Sequence, residues 1–176
     1  MHGLEIFHVK EIPTHGGSLR TYATRKGTYT VKPSVEALLG AERDGEREKE
    51  ALLRFRKDVV VSKLALHSLL LEIVRDGGRI YGVGAAARAS TLINYVGIDD
   101  SIVDCVVEVR GSHKIGNYIP GTVIPVVEES RLFENQPDYA LLLSWHLADD
   151  LAPRLKTKGF KGSFIVPLPS PRLLSL

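Results

Sequence analysis

From residue 79 onward, short apolar runs alternate with segments of helical spacing, and that rhythm restricts the chain more than anything else in it. Runs at 79–83, 104–109, 124–127, 139–143 and 163–166 have strand character, while 85–95, 128–134 and 147–156 have helix character. The strand runs are almost continuously apolar rather than alternating, as strands buried on both faces are. The fold expected is therefore α/β, a Rossmann-like parallel sheet with helices on both faces. Ahead of it, Leu52, Phe55, Val59, Leu66, Leu69, Leu70 and Ile73 recur at near-helical spacing. They predict one long helix starting near Glu48 and stopped by Gly77 and Gly78. The first residues predict an N-terminal β-hairpin, with strands at 4–9 and 19–23 around the turn His15-Gly16-Gly17-Ser18. A two-stranded unit is marginal by itself and needs something to cover its apolar face. The expected organisation is a hairpin segment at 1–32, a charged connector at 33–50 opened by Pro33, and the α/β domain at 51–176.

Composition supports a folded chain and removes several classes of function. Of 176 residues, 44% are hydrophobic and 25% charged, which suits a globular domain and not a disordered or fibrous one. No window approaches the ~18 consecutive apolar residues of a membrane helix. The opening residues carry charges where a secretion signal would be apolar, so a cytoplasmic location without membrane contact is expected. The 23 basic and 21 acidic residues leave a net charge of +2, too balanced for a nucleic-acid groove. Beyond Asp150 there is no acidic residue, whereas Arg154, Lys156, Lys158, Lys161 and Arg172 follow. That end is expected to be a solvated helix face plus a tail, or else an anion-facing end. The single cysteine, Cys105, excludes intramolecular disulfides and cysteine-based zinc sites and is expected to be a buried strand residue. The six histidines form no i, i+4 pair, so no metal site is expected. Hydrolase elbow and P-loop patterns do not occur.

Four segments could carry chemistry. Gly82-Val83-Gly84-Ala85-Ala86-Ala87 matches G-x-G-x-x-A between the first sheet strand and its helix. Small residues there let the backbone approach a phosphate at a helix N-terminus. Arg88 sits in the first helical turn, where a cation opposes the helix dipole unless it faces an anion. Glu108 follows Ala87 by 21 residues, about where a dinucleotide-binding domain places its ribose-binding acid, so an NAD(P)-binding oxidoreductase domain is one reading. The alternative for Gly82 and Gly84 is a tight turn and nothing more. The glycine-rich loop at 110–122 leaves the second strand at the sheet's carboxyl edge and offers Lys114, Tyr118 and Thr122. Trp145 and His146 follow the strand at 139–143 at the same edge, suited to stacking and hydrogen bonding. His15, beside two glycines, is either an acid or base near neutral pH or part of a plain turn.

The stretch from Gly82 through Arg88 to Gly97-Ile98 resembles the C-terminal domain of the S-adenosylmethionine-dependent sugar C-methyltransferases, which methylate a carbon of keto-sugar nucleotides. Lys114, Gly116 and Tyr118, then Pro120-Gly121-Thr122 with Ile124 and Pro125, are similar to that family too. So are Pro137-Asp138-Tyr139 through Trp145, and Phe164-Ile165-Val166-Pro167. His15-Gly16-Gly17-Ser18-Leu19-Arg20 resembles the motif that closes the family's preceding cofactor domain. The resemblance implies a substrate-binding C-terminal part of a methyltransferase, incomplete for catalysis by itself. The zinc-binding and S-adenosylmethionine-binding domains, and the segment carrying the catalytic base, would stand before Met1. It implies a nucleotide-diphosphate sugar as ligand, held by Gly82, Gly84, Ala85, Arg88, Thr91, Lys114, Tyr118, Thr122, Trp145 and His146. S-adenosylmethionine would be the cofactor of the complete enzyme, bound largely outside this chain, and a separate or missing cofactor domain would be the partner. His15 is the residue expected nearest the chemistry. Two departures bear on the ligand rather than the fold: Ala89-Ser90 replaces Gly-Asn, and Glu108-Val109-Arg110 replaces acid-Arg-Asn. A noncatalytic interaction module, docking through the hairpin and the basic end, is the third reading.

Overall fold

The computed structural model describes residues 2–43 and 45–174; the side chains of His15 and of residues 45–48 lie outside that description. The chain forms two compact units, Met1–Lys57 and Asp58–Leu176.

In the first unit, β1 (Leu4–Ile12) pairs antiparallel with β2 (Ser18–Arg25), with a bulge between Ile6 and His8. Both strands run longer than the apolar residues alone predict, because backbone pairing continues through Lys10, Glu11 and Thr24. A 3-10 turn at Thr14–Gly16 joins them, and Gly16 and Gly17 have positive φ, a conformation that costs other residues a Cβ clash. Helix α1 (Pro33–Glu42) begins at a proline, whose fixed φ and missing N–H suit a first helical position. Ser34 anchors it to the hairpin: its hydroxyl lies 2.8 Å from His8 Nδ1 and accepts from Val9 N at 3.4 Å. Phe7 stacks on Tyr29 at 4.9 Å, and Tyr22 on His8 at 5.1 Å. Val9 is the one buried hydrophobic residue described in this unit, and Leu4, Ile6 and Leu19 are exposed.

Helix α2 (Gly45–Arg75) is continuous and starts three residues before Glu48, where the hydrophobic spacing first shows. Its charged first turns carry no apolar stripe, so periodicity could not mark the true start. Within the second unit it buries Leu66, Leu70 and Ile73 and leaves Leu64 and Leu71 exposed. Gly77, at φ +82°, closes it.

The second unit is a six-stranded sheet made of β3 (Ile80–Val83), β4 (Cys105–Glu108), β5 (Val126–Glu128), β6 (Tyr139–Leu142), β7 (Ser163–Val166) and β8 (Arg172–Leu174). Their spatial order is β5-β4-β3-β6-β7-β8; the first five are parallel and β8 is antiparallel to β7. The expected α/β sheet is therefore present. The expected tail is corrected at Arg172–Leu174, which pairs with β7 as an edge strand. Only three residues long and following Pro167, Pro169 and Pro171, it carries too short a pattern to be recognised from sequence.

Alternation along the strands builds two cores. Ile80, Val106, Leu141 and Ile165 face α2 and helix α3 (Ala87–Val96), which contributes Ala89, Leu92, Ile93 and Val96. Tyr81, Val83, Cys105, Val107, Ala140, Leu142 and Phe164 face the other way, against Leu132 of helix α4 (Ser130–Asn135) and Ala148, Ala152 and Leu155 of helix α5 (Ala148–Thr157). Each fully buried Leu, Ile or Phe is worth about 1.5–3 kcal/mol against exposure, so both faces contribute heavily. At the amino edge Arg79 aligns three strands: its guanidinium reaches Asp104 at 3.1 Å and the Tyr81 hydroxyl at 2.9 Å, and its N–H bonds Asp138 at 2.9 Å. The hydrogen bond to Asp104 raises the already high pKa of this arginine. Part of the basic end is consumed structurally. Lys156 donates to the carbonyls of Lys161 and Gly162, and Lys158 is ion-paired with Glu129.

Candidate functional site

The winding of the sheet reverses between the parallel neighbours β3 and β6. From β3 the chain crosses through α3 to β4 on one side, and it resumes at β6 on the other. In open α/β sheets a crevice forms at the carboxyl ends of the two strands flanking such a reversal. Here its walls are the segment 84–88 after β3 and the segment 144–147 after β6.

Gly82 and Gly84 are both required there, for different reasons. A Cβ at Gly82 would stand 2.8 Å from Val106 and 2.9 Å from Leu143, so this glycine lets the core close over the strand. Gly84 has φ +87°, and a Cβ on it would meet Ser144 Oγ at 2.8 Å, so the two walls touch at this point. Ala86 N bonds back to Gly84 O at 2.8 Å, and α3 starts at Ala87 with neither a side-chain cap nor an acidic residue in its first turn. Its N-terminus thus presents backbone donors and positive dipole with no protein carboxylate in its first turn.

Arg88 and Trp145 meet across the crevice. The guanidinium lies 5.6 Å from the indole centroid, within cation–π range, and Arg88 Nη2 is 3.3 Å from each ring nitrogen of His146. Trp145 is half-buried and packs against both cores, in a 3-10 turn (Trp145–Leu147) that precedes α5 where a continuous helix from 147 was expected. Ala148 rather than Leu147 opens the α-helix.

The loop after β4 is ordered. Gly116 N bonds Val126 O, Val126 N bonds Asn117 O, and Ile119 N bonds Ile124 O, giving a short hairpin-like return. Thr122 serves that return, its hydroxyl donating to Ile119 O and accepting from Ile124 N. Tyr118 is 62% exposed, so its ring is spent on nothing in the core. Thr91 is exposed on α3, and Ala85 is buried. Asn94, not among the candidate residues above, ties loop to helix by donating to Pro120 O at 2.8 Å and Ser90 O at 2.7 Å. A polar residue about two helical turns beyond the glycine segment was its only trace in the sequence.

Lys114 and Glu108 converge on the glycine turn. Lys114 Nζ donates to Ala85 O at 2.7 Å and lies 3.7 Å from Glu108 Oε2. That same oxygen accepts from Ala85 N at 2.8 Å. Glu108, which the spacing offers as a ribose-binding acid, here turns its carboxylate back onto the backbone at Ala85 N and Val109 N. Spacing locates an acid at a strand end but not the direction of its side chain.

His15 lies in the turn Thr14–Gly16 of the first unit, and its side chain is outside the described residues. Among the described residues, no group of three or more His, Cys, Asp or Glu is placed to hold a metal ion, and no helix is long and apolar enough to cross a membrane.

The second unit is a doubly wound α/β domain with a polar, cation-bearing crevice where its winding reverses. More particularly, the chain belongs to the C-methyltransferase C-terminal domain family, which it matches over residues 13–169. It is also 29% identical over 177 aligned residues to the C-methyltransferase NovU of Streptomyces niveus. That match covers 99% of this chain but 42% of the relative, so the chain spans about two fifths of the length of the curated relative it matches.

Proposed function

We propose that this chain is the substrate-binding part of an S-adenosylmethionine-dependent C-methyltransferase, and that its ligand is a nucleotide-diphosphate sugar. The observation that carries the reading is the Arg88–Trp145–His146 group beside the uncapped start of α3, at the carboxyl edge of the sheet. A guanidinium and helix N–H donors suit a diphosphate, and the indole offers a stacking face for a base or sugar. Lys114 contributes a second cation; with one N–H on Ala85 O and one side toward Glu108, its ammonium keeps a further donor for ligand. Tyr118 flanks the loop return, while Gly82, Gly84, Ala85, Thr91 and Thr122 shape the walls.

The acid at the end of the second strand, Glu108, accepts from Ala85 N and Val109 N, a placement that favours an S-adenosylmethionine site elsewhere. On this reading the methyl donor is held by a cofactor domain outside the described site, and this chain supplies the substrate-binding part. The same placement of Glu108 weighs against an oxidoreductase binding NAD in the dinucleotide manner.

Calorimetric titration of the chain with thymidine diphosphate and, separately, with NAD tests the reading. Saturable binding of thymidine diphosphate without binding of NAD is expected. NAD binding alone would transfer the assignment to an oxidoreductase domain, and binding of neither, with self-association through the hairpin, to a noncatalytic module.

A further inference from the structure

In a doubly wound sheet, the N–H groups following the first strand are the usual seat of a dinucleotide's pyrophosphate. Here Gly84 N, the first of them, bonds Val107 O, and the next is taken by an anion of the protein. Ala85 N donates to Glu108 Oε2 at 2.8 Å, while Glu108 Oε1 accepts from Val109 N at 3.1 Å. The Glu108 side chain is only 13% exposed. Lys114 holds the other side of the same residue, bonding Ala85 O at 2.7 Å and facing the carboxylate at 3.7 Å. Both polar groups of Ala85 are thus fixed by charged side chains from the strand end and the loop after it.

We infer that Glu108 is a specificity-determining residue that closes the glycine turn to a dinucleotide pyrophosphate and confines ligand phosphates to the Arg88 side of the crevice. A phosphate arriving at Ala85 N would meet a like charge in a largely desolvated position. To displace it, the phosphate would have to break two backbone hydrogen bonds and separate Glu108 from Lys114. A dinucleotide lying along the turn suffers this cost; a ligand received by Arg88 and the start of α3 does not. The identity of the admitted ligand rests on the nucleotide-sugar reading, whereas the exclusion rests on the Glu108 geometry.

The test uses the full chain, inorganic pyrophosphate and NAD as probes, and the variants Glu108→Ala and Glu108→Gln, read by calorimetry and by backbone amide resonances. The wild type is expected to bind no measurable NAD. Glu108→Ala is expected to bind pyrophosphate about tenfold or more tighter than the wild type, with the Ala85 and Ala86 amides among those that shift most on titration. A smaller gain, a gain with shifts elsewhere, or NAD binding by the wild type would overturn the inference. If Glu108→Ala fails to fold, Glu108→Gln decides, because it keeps an acceptor for Ala85 N but removes the charge. A gain of about threefold or more with the same shifts supports the role, and anything less sinks it. Thymidine diphosphate binding by the wild type is scored separately. Its absence beside a pyrophosphate gain in the variant would reject the nucleotide-sugar reading and leave the role of Glu108 standing.

Discussion

Arg88 is exposed on the first turn of α3, so its contribution to binding can be separated from any contribution to folding. A charge-assisted hydrogen bond to a phosphate is worth about 1.5–3 kcal/mol, and Arg88→Ala should accordingly weaken thymidine diphosphate binding by at least about tenfold. The melting temperature should move by no more than about 2 °C, since an exposed substitution away from the core lies within ~0.5 kcal/mol. A large drop in melting temperature with unchanged affinity would assign Arg88 to structure instead. Cys105 makes the opposite case. It is buried in β4, and burial pushes its thiol up to about 11. Native protein at pH 8 should therefore resist iodoacetamide, and the same protein in denaturant should be alkylated readily. The raised pKa also links to stability: the contribution is intact below the ordinary value of 9.0 and is lost as pH rises through about 11. At this scale the sequence was informative about residue type and position. Arg88 at a helix start and Cys105 in an apolar run are one-dimensional facts with direct physical meaning. The partnership of Glu108 with Ala85 was invisible, because it depends on which way a side chain turns at a strand end.

The turn from β3 into α3 is the element on which the crevice depends, and Gly84 is its least replaceable residue. Gly84→Ala would force a Cβ into positive φ and toward Ser144 Oγ at 2.8 Å. Strain of this kind costs of order 1–3 kcal/mol, so the variant should unfold at lower denaturant concentration with an unchanged slope. Ser144→Gly in the same chain should recover the part due to the contact and leave the part due to φ. Full recovery would show that the backbone conformation is not strained by a side chain. The elements were legible where burial imposes a pattern: β3, β6 and β7 lie in short apolar runs bounded by polar residues, glycine or proline, close to where the sequence puts them. They were not legible where backbone hydrogen bonding alone decides. β8 exists because β7 offers an unpaired edge, and the 3-10 turn at Trp145–Leu147 exists because the indole packs at the rim of both cores before α5 can begin.

Across the whole molecule, apolar burial is very unevenly distributed. The unit Asp58–Leu176 contains two cores, one on each face of its sheet, whereas in Met1–Lys57 the described buried hydrophobic residue is Val9. Leu4 is 63% exposed and Leu19 46%, so the hairpin's apolar residues contribute little of the burial that offsets the entropy of ordering them. What holds the hairpin is its own pairing, the rings of Phe7, Tyr22 and Tyr29, and the Ser34 anchor. Each of these is worth about 1 kcal/mol or less on average. The two units should therefore open with different free energies. In native-state hydrogen exchange, amides of β1 and β2 should exchange through an opening several kcal/mol below global unfolding, and those of β3, β6 and β7 only through global unfolding. Urea should steepen the exchange of the second group and leave the first nearly flat, because a small local opening exposes little surface. If both groups converged on one free energy, the hairpin would have to draw its stability from contacts other than its own. A nucleotide that binds the crevice sharpens the test, since it should slow exchange in β3 and β6 by the linkage amount and leave β1 and β2 unchanged.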